Sequence, residues 1–196
     1  QKPSGHFRTI GVETAVDQRL WRDRVSLSAN AGRWFAPGAQ RPFGSAWAAV
    51  EARTSAEPRR FVLAATGGGS LASADSPLAL WNGAGDGRGR TPLLRAHPLL
   101  DDGRVEGPVF GRRLVFASVE AQHWLARPSL VRVALAAFAD AAQAADRLAS
   151  ARGLPRQVDI GTGLRVRPPG GSGFLRVDYA HGVRDGADRV FIGWQR

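Results

Sequence analysis

Four histidines, His6, His97, His123 and His181, are the side chains most able to carry a proton near neutral pH. None sits at metal-ligand spacing from another. His97 lies two residues after Arg95 in a Gly-rich stretch and reads as a loop histidine making one hydrogen bond. The chain has no Cys, which removes thiolate ligands, Cys nucleophiles and disulfides. No Gly-x-Ser-x-Gly elbow occurs. The run Gly83-Ala84-Gly85-Asp86-Gly87-Arg88-Gly89 mimics a phosphate loop, yet it lacks the preceding strand and the following Lys-Ser/Thr that phosphate chemistry needs. Asp101-Asp102-Gly103 reads as a turn. No catalytic set, metal site or cofactor is expected. The chemistry left is that of opposed charges: Glu13, Glu51, Arg53, Glu120, Asp140, Asp159, Arg165, Arg176 and Asp178, all spaced along strand-like segments.

The elements that must position these charges carry period-2 alternation. In 112–125, Val115, Ala117, Val119 and Ala121 oppose Ser118, Glu120 and Gln122. In 157–168, Val158, Ile160, Leu164 and Val166 oppose Gln157, Asp159, Arg165 and Arg167. In 173–183, Leu175, Val177 and Tyr179 oppose Arg176 and Asp178, and in 188–195 the apolar face is Val190, Ile192 and Trp194. Segments 7–20, 24–36 and 44–55 alternate in the same way. Segment 59–67 is short and apolar on both faces. Pro37-Gly38, Glu57-Pro58, Pro168-Pro169-Gly170-Gly171 and Asp185-Gly186 punctuate the strands as hairpin breakers.

The Ala-rich stretch 130–151 admits two readings, because Ala is the best helix former. As a strand it puts Val131, Val133, Leu135, Ala137 and Ala139 on one face and Arg132, Phe138 and Asp140 on the other. Residues 141–151 are expected to leave the sheet and coil into a helical turn. Three regions follow: barrel strands in 1–66, a long Gly-rich loop in 67–111, and C-terminal strands in 112–196. A loop this long inside a compact domain is usually functional or disordered.

The alternation also bears on class. Most of the roughly nine segments have the length of a tilted strand crossing a bilayer. Their apolar faces mix Val, Leu and Ile with many Ala, which suits lipid contact better than an interlocked sandwich core. Their polar faces carry both signs of charge, as a wet lumen allows. The expected fold is therefore an all-β, antiparallel transmembrane β-barrel of about nine strands with a long lumen-directed loop. A soluble all-β binding domain is the competing class.

The remaining composition is compatible with this. The net charge of +10 is spread along the chain rather than gathered into a patch, so nucleic acid is not an expected partner. Lys2 is the only lysine, and the arginine excess is what a GC-rich genome produces. No stretch of 18 apolar residues is present, so no transmembrane helix is expected. The chain contains no Met and opens on Gln1 without the charged and apolar regions of a signal peptide. It reads as a fragment or a processed product.

From the long loop onward the chain resembles the Omp85 superfamily, the bacterial surface-antigen (D15) barrels. Leu94-Arg95-Ala96-His97-Pro98 stands where that family has an Arg-Gly-aromatic loop motif. Val115-Phe116-Ala117-Ser118-Val119-Glu120 is similar to its strand ending in an inward Glu. Ala136-Ala137-Phe138-Ala139-Asp140-Ala141 is similar to its Phe-x-Asp-x-Gly strand. Gly161-Thr162-Gly163-Leu164-Arg165 and Leu175-Arg176-Val177-Asp178-Tyr179 look like its penultimate strands. The resemblance implies that the loop folds into the lumen and that Arg95 docks on Glu120, Phe138 and Asp140; strand phase puts Arg165, Arg176 and Asp178 on the same lumen-facing side. It implies a non-enzymatic protein of the bacterial outer membrane that inserts or translocates proteins. The implied partners are outer-membrane lipid, client outer-membrane or secreted proteins, and periplasmic accessory proteins. The sequence departs from the motif at Ala96, His97 and Ala142, and it ends on Gly193-Trp194-Gln195-Arg196 rather than a terminal aromatic. Another outer-membrane barrel, a pore or a structural wall, fits the alternation equally.

Overall fold

The computed structural model describes residues 10–35, 42–55, 60–85, 93–97, 100–101, 104–105, 109–125, 131–147, 154–170 and 173–195. Thirteen strands occur among them. They are β1 (Ile10–Leu20), β2 (Val25–Phe35), β3 (Phe43–Arg53), β4 (Phe61–Ala72), β5 (Asn82–Gly83), β6 (Leu100–Asp101), β7 (Arg104–Val105), β8 (Phe110–Gly111), β9 (Arg113–Trp124), β10 (Arg132–Ala145), β11 (Arg156–Arg167), β12 (Phe174–Gly182) and β13 (Asp188–Gln195). The nine long strands form one sheet in the order β1-β2-β3-β4-β9-β10-β11-β12-β13. Every neighbouring pair in it is antiparallel. The sheet is all-β and antiparallel, as the alternation predicts, but it is open: among the described residues β1 and β13 are its edges and do not pair with each other.

The two faces differ in a way that reverses the usual rule for water-soluble proteins. One face presents Val115, Val119, Leu135, Ile160, Leu164, Tyr179, Val190, Ile192 and Trp194, all exposed. The other buries Glu120, Asp140, Gln157, Asp159, Arg165, Arg176 and Asp178. Register aligns the charges across strands. Asp140 stands opposite Ser118 and Asp159, while Glu120 stands opposite Phe138, which stands opposite Gly161. Each charged residue therefore points to the same side as its neighbours, because the side-chain period of a strand is two.

Two expectations about the strands need correction. Segment 59–67 is not short: β4 runs to Ala72, so Gly67–Ala72 belong to the sheet and not to the loop. The glycines are needed where strands and rings crowd. A Cβ on Gly68 would meet the Ala48 carbonyl oxygen and the Phe116 ring. Residues 141–145 likewise do not leave the sheet. β10 continues to Ala145 with Gln143 paired to Val115 on one side and Arg156 on the other. Ladder hydrogen bonds on both edges outweigh the helical preference of alanine. Residues 148–151 lie outside the described residues.

Between β4 and β9 the chain forms a small second layer. A 3-10 turn (Leu78–Leu80) leads to Trp81, whose indole N–H donates to Ser76 and whose ring stacks on Phe110, 5.8 Å between centroids. β5 pairs with β8, and β6 with β7. Asp101 pairs with Arg104; of the expected Asp101-Asp102-Gly103 turn, residues 102–103 lie outside the described residues. Leu94, Val109 and Ala84 from this layer pack on Leu114, Phe116, Ala142 and Ala144 of the charged face, covering its apolar end.

Candidate functional site

Residues 94–97 cross the buried face of the sheet with every side chain buried. Leu94, fully buried in the apolar cluster, fixes the approach. The backbone N–H groups of Leu93 and Leu94 both donate to the Ala84 carbonyl, at 2.9 and 2.8 Å. The next residue, Arg95, then projects over the middle of the sheet.

Arg95 is 5% exposed and lies among groups from three strands. Its Nη2 is 3.0 Å from Glu120 Oε2 on β9, its Nε 3.1 Å from Asp140 Oδ2 on β10, and its Nη1 3.5 Å from Asp178 Oδ2 on β12. The guanidinium carbon sits 3.6 Å from the Phe138 ring centroid. A planar fork meets carboxylates at its edges and a ring on its face, which an ammonium could not do together. The four residues that the resemblance groups, Arg95, Glu120, Phe138 and Asp140, are thus brought into one cluster.

Arg165, Arg176 and Asp178 extend it. Arg165 Nη2 lies 2.7 Å from Glu120 Oε2, and its Nη1 donates to Asp178 Oδ1. Arg176 donates to Asp178 Oδ2 through Nε at 2.9 Å. Ser118 donates to Asp140 Oδ1 at 2.6 Å. Two glycines open the space. A Cβ on Gly161 would meet the Phe138 ring and the Tyr179 carbonyl oxygen, and a Cβ on Gly163 would meet the Asp178 carboxylate and the Arg165 guanidinium.

The buried face carries four carboxyl groups (Glu120, Asp140, Asp159, Asp178) against two guanidiniums (Arg165, Arg176). Buried carboxylates are costly unless paired. Residues 95–97 supply the missing partners. Arg95 serves three of the four. The fourth, Asp159, accepts the backbone N–H of Ala96 at 2.7 Å and lies 2.8 Å from His97 Nδ1.

His97 corrects the reading of a loop histidine with one hydrogen bond. It is 3% exposed, and each ring nitrogen faces a carboxylate: Nδ1 faces Asp159, and Nε2 faces Asp185 at 2.9 Å. Burial alone would lower its pKa, but the contacts with Asp159 and Asp185 outweigh burial and raise it above 6.5. Asp185 shows the converse. Partial burial would raise its carboxyl, yet His97 and the Ala187 amide hold it below the ordinary 3.8. Asp185 also accepts from Gln157 at 2.8 Å, so one turn residue ties β11, the turn and the loop together. Gly182 lies under the His97 ring, where a Cβ would touch it.

Asp159 was identifiable from its phase, since it falls on the polar face of its strand. Asp185 carried only the signal of a turn, and nothing local marks it as a partner of a residue 88 positions away. His181 lies elsewhere, in an exposed contact with Asp188, and His6 lies outside the described residues. Among the described residues no group of three His, Asp or Glu side chains is placed to hold a metal ion. Of the phosphate-loop-like run, Gly83 pairs in β5, and residues 86–89 lie outside the described residues. The arrangement as a whole binds a peptide segment to a sheet by charge, stacking and burial.

No protein-family model and no curated protein matches the chain.

Proposed function

We propose that this chain is a wall segment of an Omp85-like outer-membrane β-barrel, a factor for inserting or translocating proteins at the bacterial outer membrane. The observation that carries the membrane part is the reversed polarity of the sheet, with exposed apolar side chains on one face and buried ionised types on the other. Exposed large apolar side chains occur on every one of the nine long strands, whereas soluble monomers rarely expose contiguous apolar patches beyond a few hundred Å². Lipid satisfies such a face, while water and ion pairs satisfy the other. The Omp85 part rests on the segment Leu94–His97 lying against the two strands, β9 and β10, that carry the motif residues.

On this reading the partners are outer-membrane lipid, client outer-membrane or secreted proteins, and periplasmic accessory proteins. The decisive experiment fractionates the full-length protein and then assays client assembly in lipid vesicles, comparing it with Arg95→Ala. Outer-membrane recovery with client assembly lost in the variant is the expected result. A protein that stays in the aqueous phase without detergent overturns the membrane reading. Membrane recovery with passive ion flux, no client assembly and no effect of the variant favours a simple pore.

A further inference from the structure

We propose that His97 is a pH-sensitive latch: residues 93–97 hold to the sheet most tightly while the imidazole carries both protons, and loosen when it loses one. The proposal stands on contacts within the described residues and is independent of what covers the outer face.

The geometry dictates the protonation state. Both ring nitrogens of His97 face carboxylate oxygens, Asp159 Oδ1 at 2.8 Å and Asp185 Oδ2 at 2.9 Å. Nε2 hydrogen-bonds to Asp185, while Nδ1 approaches Asp159 as an ion-pair contact outside hydrogen-bond geometry, and the imidazolium, whose positive charge faces both carboxylates, is the form that favours both. In either neutral tautomer, one nitrogen would present its lone pair to a carboxylate at under 3 Å, a repulsive contact in a buried site. The other elements packed here offer no relief. On β11 the facing groups are Asp159 and the neutral Gln157, which is already committed to Asp185. On β10, Asp140 stands opposite Asp159 in register and adds negative charge. β12 contributes Gly182. The nearest cation in the same segment, Arg95, is engaged by Glu120, Asp140 and Asp178.

The two carboxylates sit on different elements, Asp159 within β11 and Asp185 in the β12–β13 turn. His97 is therefore a cross-tie whose strength depends on one proton. Its pKa is raised in the folded state, so its contribution is complete below about 6.5 and declines as pH rises through the folded value. One proton released per opening event makes the opening equilibrium rise by up to tenfold per pH unit between about 6.5 and the folded value, and level off above it.

The absence of Cys supplies the probe. Leu93→Cys in the full-length protein, with any Cys outside these residues replaced by Ser, gives a single thiol beside the latch. Its labelling by a maleimide is read between pH 6 and 9 and divided by that of Ala74→Cys, an exposed turn position after β4. The expected ratio rises with pH across the range, and the rise disappears in His97→Asn, which starts high and stays flat. A flat ratio in the parent, or an equal rise in His97→Asn, overturns the latch. An NMR titration of the His97 ring gives a second reading without variants: a midpoint above 6.5 supports the latch, and one at or below 6.5 overturns it.

Discussion

The guanidinium of Arg95 lies 3.6 Å above the ring of Phe138, and the same two residues come from a loop and a strand that are 43 positions apart. Stacking leaves the edges of the guanidinium free for Glu120, Asp140 and Asp178. The ring sets the height of the fork, and the carboxylates set its rotation.

Removing the fork should therefore be costly. Arg95→Ala removes the guanidinium from buried Asp140 and one of three cations from Glu120 and Asp178, which keep Arg165 and Arg176; a broken buried pair costs about 3–5 kcal/mol. Arg95→Lys should recover under half of this, because a point charge cannot serve three carboxylates and a ring together. Denaturation monitored in detergent measures both. A wild-type stability for Arg95→Ala would show that the cluster is not coupled to folding.

Direct contact between Arg95 and Asp140 predicts non-additivity. In a double-mutant cycle the coupling should exceed about 1 kcal/mol, whereas independent sites add to within about 0.5 kcal/mol. Phe138→Leu tests the stacked face alone and should cost roughly 0.5–2 kcal/mol on top of the change in packing.

The glycines of β11 should not tolerate side chains. Gly163→Ala drives a methyl into the Asp178 carboxylate, and overpacking of this kind costs about 1–3 kcal/mol. Gly170→Ala is the contrast: its φ of +69° strains any other residue, but nothing lies within 4 Å of the added carbon. Its cost should be near 1 kcal/mol and confined to backbone strain. Equal effects of the two would argue against the crowding at Gly163.

The outer face gives a test of environment. Val119→Arg and Ala139→Arg sit side by side in register on adjacent strands. If this face meets lipid, each should cost about 2–4 kcal/mol near the bilayer midplane. If it meets water, each should fall within about 0.5 kcal/mol of wild type. Folding into vesicles, measured against urea, separates the two outcomes.

Acid should also loosen the loop, through a different group. The folded Asp185 carboxyl is held below 3.8, so its contribution is present above that value and is lost as pH falls through the folded one. Asp185→Asn should remove this acid limb and move the alkaline release of residues 93–97 to lower pH. Labelling of Leu93→Cys across pH 3–9, normalised as above, checks both limbs. An unchanged acid limb in Asp185→Asn would assign that limb to another carboxylate.

Much of this cluster was legible because strand phase is strict. Once Val119 and Ala139 are outward, Glu120 and Asp140 must be inward, and the same counting places Arg165, Arg176 and Asp178 with them. The contact with Arg95 came from the family resemblance rather than from periodicity, since a loop has no phase. The end of β10 and the Gly67–Gly69 run were misread for one reason: propensity is local, while both are held by strands on either side. The partners of His97 were hidden differently. Asp185 looks like any turn aspartate, and only the fold brings it to the imidazole.

The open edges of the sheet carry a counting consequence. With nine strands and every neighbour antiparallel, β1 and β13 run in the same direction. They cannot be antiparallel partners of each other, however strongly the sheet curls. A second copy set alongside in the same orientation fails for the same reason. Parity alone therefore limits how this sheet can become a cylinder of purely antiparallel strands: whatever completes the ring must contribute an odd number of strands.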